Sequence, residues 1–121
     1  MRILLWLGLF LAAVIAIETE AAEPVVDVLH AKGTINPVLV DYIKRGIERS
    51  EKDNAVACII QLDTPGGLDT AMRDIVQKIL NAKVPVVVYV SPSGARAASA
   101  GTFITIAAHV AAMAPNTTCL L

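Results

Sequence analysis

The sequence predicts an α/β fold with a mostly parallel sheet, and three observations carry that reading. Apolar, β-rich runs occupy residues 25–31, 55–62 and 84–90, and amphipathic helical patterns fill the gaps between them. A helix between two strands returns the chain to the same end of the sheet, so successive strands run parallel. With 121 residues the chain holds one domain at most.

The elements follow in order. Met1 and Arg2 carry positive charge, and residues 3–17 contain no polar side chain, which is the layout of an export signal. At roughly 15 residues this run falls short of the roughly 20 that span a bilayer comfortably, so a cleaved signal is expected over a permanent anchor. The signal is assigned to residues 1–22, with cleavage near Thr19-Glu20-Ala21 or just beyond, and the folded domain to 23–121. The expected location is exported or membrane-associated, on the extracytoplasmic side of the cell membrane.

Val25, Val26, Val28 and Leu29 give the first strand its β character before Gly33 ends it. Asn36 is a good N-cap and Pro37 suits the first helical turn. Val40, Ile43 and Ile47 then recur at helical spacing through Arg49. Residues 55–62 (AVACIIQL) form a nearly continuous apolar run, expected to be buried on both faces, and stop at Asp63-Thr64-Pro65-Gly66-Gly67. A helix over 68–82 places Met72, Ile75, Val76, Ile79 and Leu80 on its inner face, and 84–90 (VPVVVYV) is the most emphatic strand. After the loop Ser91-Pro92-Ser93-Gly94, small residues over 97–108 read as a tightly packed helix and 109–114 as a fourth short strand.

Composition excludes several function classes. The net charge is −1 with Lys and Arg scattered, so no nucleic-acid footprint is present. Cys58 lies inside a strand pattern and reads as a small buried hydrophobe, so pairing with Cys119 is not expected. No CxxC or His-Cys spacing suggests a metal, and no cofactor is indicated.

Ligands of open parallel sheets collect at the carboxyl ends of the strands, which directs attention to the loops after Leu62 and Val90. Gly66 and Gly67 leave backbone N–H groups unobstructed, as an oxyanion hole requires, although Pro-Gly-Gly alone is more often an ordinary turn. Ser99 lies near a helix start within Ala97-Ala98-Ser99-Ala100-Gly101. Its small neighbours would let a substrate backbone approach, with the Ala100 N–H pointing into the same space. A serine at that position is more often simply a cap.

Taken together, Asp63-Thr64-Pro65-Gly66-Gly67 and Ser93-Gly94-Ala95-Arg96-Ala97-Ala98-Ser99-Ala100-Gly101-Thr102 resemble the NfeD family of ClpP-class membrane proteases. Signal peptide peptidase A and the Clp proteases share the looser pattern. The resemblance runs from about Val25 to Thr118 and implies a ClpP/crotonase-like fold, incomplete at the C-terminus. It also implies Ser99 as the acyl-forming nucleophile, the Gly67 and Ala100 N–H groups as oxyanion donors, Gly66 in the substrate-binding loop, and Asp63 and Thr64 as residues that shape that loop. Arg96 reads as a solvated cation.

The family's base is a lysine in a Ser-Lys dyad, and in this sequence no lysine follows Lys83. The residues Cys119-Leu120-Leu121 stand where the resemblance would place a glycine-containing stretch, so the protease domain is expected to be partial, ending before the lysine. No substitute base is expected: His109 belongs at the far end of the sheet, His30 lies within the first strand, and Lys32 beside Gly33 reads as an exposed turn. The implied function is a serine endopeptidase that cuts hydrophobic segments of membrane-associated, stomatin-like proteins, impaired by truncation. The alternative is a non-catalytic remnant or binding module that retains the peptide groove. A crotonase-type thioester chemistry conflicts with the export signal. Uncovered sheet edges and faces predict a homo-oligomer, or dependence on a partner.

Overall fold

The computed structural model describes residues 2–14 and 20–121. In chain order the elements are α1 (Arg2–Val14), β1 (Val26–Lys32), α2 (Pro37–Lys52), β2 (Ala57–Asp63), α3 (Asp69–Leu80), β3 (Val86–Val90), β4 (Arg96–Ala98), α4 (Ala100–Ala107), β5 (Val110–Met113) and β6 (Thr118–Leu120). Four strands form one parallel sheet in the order β1-β2-β3-β5, and β4 pairs with β6 in a small parallel sheet of its own.

The predicted local signals act where expected. Asn36 Oδ1 accepts the Leu39 N–H at 2.9 Å and Pro37 fills the first turn of α2, whose last turn carries Arg49 and Lys52 toward the negative end of the helix dipole. Val40, Ile43 and Ile47 are buried against the sheet. Helix α3 buries Ala71, Ile75 and Ile79. Leu80, expected on that inner face, is 64% exposed, because one residue beyond Ile79 turns the side chain about 100° off the buried stripe.

The helices cover one face of the sheet. Leu29 and Ala31 of β1, Cys58, Ile60 and Leu62 of β2, and Val86, Val88 and Val90 of β3 form the core on that side. On the other face Val26 and Val28 are half-exposed and Ile59, Val87 and Tyr89 are only partly covered. Burial of residues 55–62 on both faces is therefore corrected: β2 alternates strictly. The run looked continuous because Ala57 and Ile59 on the uncovered face are apolar as well.

The helix predicted over 97–108 also divides. Its first residues form β4, because Thr64 at the end of β2 captures their backbone: the Thr64 N–H donates to Arg96 O at 2.7 Å and the Ala98 N–H donates to Thr64 O at 3.1 Å. Strand β6, not anticipated, supports β4 through the pair Ala97↔Cys119. Alanine-rich sequence favours helix locally, and tertiary pairing overrides it. The expected fourth strand is present as β5.

The described side chains of α1, among them Leu4, Trp6 and Leu7, are exposed. No helix among the described residues is long and apolar enough to cross a membrane. Thr19, where the predicted cleavage region begins, lies outside the described residues. Cys58 and Cys119 are both free thiols.

Candidate active site

Ser99 joins β4 to α4 with φ 51° and ψ −112°, a backbone conformation that a residue with a side chain rarely adopts. Bonds on both sides hold it there: the Ser99 N–H donates to Leu120 O at 2.6 Å, and Ser99 O accepts the Thr102 N–H at 2.9 Å. Ser99 occupies the N-cap position of α4, yet its side chain makes no capping bond. The bland reading of a capping serine is thus corrected. Ser99 is exposed and its hydroxyl has no partner among the described residues, on a backbone held in a strained state of the kind that clusters at functional sites.

The glycine loop lies directly against it. Gly66 has φ +109°, and a Cβ placed there would sit 3.2 Å from Ser99 Cβ and 3.8 Å from the Ala100 nitrogen. Gly67 runs beside Ile35, where a Cβ would overlap the Ile35 backbone. Ile35 donates its N–H to Gly66 O at 2.9 Å and accepts the Leu68 N–H at 3.0 Å. Backbone groups alternate in an extended segment, so the intervening Gly67 N–H faces away from Ile35.

The donors separate cleanly. The Gly66 N–H is occupied by Thr64 Oγ1 at 3.1 Å. Among the described residues no partner engages the Gly67 N–H or the Ala100 N–H. Ala100 is the first residue of α4, and the opening N–H groups of a helix have no acceptor within it. Amides without partners, at Ala100 next to Ser99 and at Gly67 in the adjoining glycine loop, are of the kind that can accept the negative charge that develops when an oxygen attacks a carbonyl.

The remaining candidates occupy other places. Asp63 Oδ1 accepts the Arg96 N–H at 3.1 Å, tying β2 to β4, and the Arg96 side chain is exposed. His30 and Lys32 line a cavity of about 190 Å³ with Gln61, Asp63 and Ser91, and Ser99 is not part of it. His109 is at the opposite end of β3, where its Nδ1 accepts the Val86 N–H at 3.0 Å. The supporting roles of two residues escaped the sequence reading. Thr102 Oγ1 lies 2.7 Å from Ala97 O and 2.8 Å from Leu120 O, and the Leu120 carbonyl also holds the Ser99 backbone. Thr102 closes the motif that carries the family resemblance, but no sequence signal marks its bond to Leu120, because the contact exists only once β6 has paired.

The family model described as NfeD1b, N-terminal domain, matches residues 25–119, nearly everything after α1. The chain belongs to this family. The NfeD1b-type chain is 51% identical over 96 residues to the membrane-bound protease PH1510 of Pyrococcus horikoshii, covering 79% of this chain and 22% of that protein. A solved lysine-to-alanine mutant of 1510-N, a membrane-bound stomatin-specific protease in complex with a substrate peptide, matches with TM-score 0.80 and 49% identity. That match covers 82% of this chain and 45% of the other. ClpP1 from Listeria monocytogenes matches with TM-score 0.69 and 26% identity, over 76% of this chain and 54% of that one. The NfeD1b-type chain therefore has a ClpP-like α/β fold, and it spans under a quarter of the curated protease's length and about half of the solved chains.

Proposed function

We propose that this chain carries the nucleophile and the oxyanion cradle of a ClpP-class serine endopeptidase. Ser99 Oγ gives its proton to a base and attacks the scissile carbonyl, and the N–H groups of Gly67 and Ala100 hold the resulting oxyanion; collapse breaks the C–N bond and releases the amine fragment with that proton, and water then hydrolyses the acyl ester to a carboxylate and free Ser99. Gly66 gives the substrate backbone room to approach. The observation that supports this most directly is Ser99 itself, exposed, capping nothing and held at φ 51° beside two unpaired amides.

A serine hydroxyl needs a base at neutral pH, and neither His109, engaged by Val86, nor Lys32, on the separate cavity, is placed to serve. The reading therefore calls for a lysine from polypeptide outside these 121 residues. The substrate class we infer is a hydrophobic segment of a membrane-associated, stomatin-like protein, in keeping with the stomatin-specific relatives. We assign residues 1–22 to membrane targeting or anchoring and 23–121 to the protease domain, on the strength of the exposed apolar side chains of α1. The uncovered apolar sheet face, with Val26, Val28 and Val110 half-exposed, supports self-association.

The second reading is that the groove binds apolar peptides without cutting them. Labelling with a fluorophosphonate separates the two. In the presence of the polypeptide that supplies the lysine, wild type should be labelled at Ser99 and Ser99→Ala should not; equal labelling of both removes Ser99 from the role. Peptide binding with no labelling of wild type supports the binding module.

A further inference from the structure

Thr64 is fully buried between the two halves of the cradle, and each branch of its side chain touches one half. Its Oγ1 accepts the Gly66 N–H at 3.1 Å and lies 3.3 Å from Gly66 O as donor, closing the glycine loop on itself. Its Cγ2 lies against α4, where a Cβ placed on Gly101 would stand 2.5 Å away. Its backbone pairs with β4 on both sides, through Arg96 O and the Ala98 N–H. One side chain therefore meets the loop that carries the Gly67 N–H and the helix that carries the Ala100 N–H.

We propose that Thr64 is the positioning residue of the oxyanion cradle: its hydroxyl occupies Gly66 so that Gly67 presents the open amide, and its methyl sets the distance of α4 from the loop. The inference rests on the reading of Gly67 and Ala100 as oxyanion donors and adds the device that selects and spaces them. Neither near-isostere reproduces both functions. Valine keeps the methyl and loses the hydroxyl, which frees the Gly66 amide and lets the loop turn. Serine keeps the hydroxyl and loses the methyl, which leaves a gap beside Gly101.

That division predicts a pattern that loss of stability alone does not produce. With a fluorophosphonate, Thr64→Val should lower the maximal inactivation rate constant roughly tenfold to hundredfold, with the half-saturation concentration unchanged, as expected when one oxyanion donor is misdirected. Thr64→Ser should keep the rate within about threefold of wild type, since the hydroxyl bond survives. Gly101→Ala should lose labelling, and Thr64→Ser combined with Gly101→Ala should regain it, because the missing methyl makes room for the new one. Failure of that rescue overturns the spacing role.

Amide hydrogen exchange tests the geometry without catalysis. In wild type the Gly66 amide should exchange more slowly than that of Gly67, and Thr64→Val should speed Gly66 by about tenfold or more. An unchanged Gly66 amide in Thr64→Val overturns the inference whether or not the chain labels. A Thr64→Val chain that labels at the wild-type rate, while Ser99→Ala stays unlabelled, overturns the positioning role and leaves Ser99 in place. Labelling of Ser99→Ala removes the nucleophile reading instead.

Discussion

The two ends of the main sheet hold similar residue types and put them to opposite uses. At the amino end Ser50, on the buried face of α2, donates to Asp27 Oδ2 at 2.7 Å, with Gly46 O a second acceptor at 3.1 Å. Cys58 is buried beside this pair, and His109 completes the edge of β3. A serine, an acid and a thiol stand together there with an imidazole farther along the same edge, and the serine, the acid and the imidazole all have hydrogen-bond partners. At the carboxyl end, among the described residues, the Ser99 hydroxyl and the amides of Gly67 and Ala100 have no partners. Residue type alone does not separate the two ends; they differ in which polar groups have partners among the described residues and in whether the backbone is held in a costly conformation.

Substitutions at the two ends sharpen this contrast, and the largest effect is expected at Gly67. Gly67→Ala drives a Cβ into the Ile35 backbone, which has no flexible end to give way, and should cost about 3 kcal/mol by urea denaturation. Stability within error of wild type would mean that the loop is not clamped as described. Next, Ser50→Ala leaves the Asp27 carboxylate without its short bond and should cost about 2 kcal/mol. Ser99 labelling should be unaffected once the protein is folded; a selective loss of labelling would show that the two ends are coupled.

Ser99→Gly should act in the opposite sense. It relieves the positive φ and is expected to raise stability by about 1 kcal/mol, net of the greater freedom of glycine in the unfolded chain, while abolishing labelling. A destabilised Ser99→Gly chain would remove strain from the account. The smallest effect concerns pH. Burial pushes the Cys58 thiol above its usual value of 9.0, with the Asp27 charge acting in the same direction and the Ser50 bond opposing. The unfolded chain then loses this proton first, so stability should decline as pH rises through 9.0 toward the higher folded value. Below that window the group contributes no slope. Comparing Cys58→Ala with wild type across the window isolates the effect, and identical slopes would refute it.

Much of the architecture is legible in residue order because its causes are local. The apolar runs at 25–31, 55–62 and 84–90 become β1, β2 and β3 within two residues at each end, and Asn36-Pro37 starts α2 as its chemistry requires. The motifs around Gly66 and Ser99 also come together as the strand order implies, since a parallel sheet with helical crossovers gathers the loops that follow β2 and β3 at one end. Less was visible where two distant segments compete for one backbone. Residues 97 and 98 carry alanine and become strand only because Thr64 and Cys119 flank them.

The order of residues therefore determined the fold class, the helix caps and the pair of loops at which chemistry could occur, because propensity, periodicity and turn preference act over a few neighbours. Tertiary structure alone decided that β2 is fully buried on one face and only partly covered on the other, that the Ser99 side chain makes no capping bond, and that the Thr64 hydroxyl takes the Gly66 amide. Each of those outcomes depends on a contact between segments far apart in the chain: the Leu120 carbonyl on Ser99, the Thr64 hydroxyl and Ile35 around the glycines, and the gathering of all the packed helices on one side. Such contacts follow from the summed packing of the whole domain, which no short window of sequence contains.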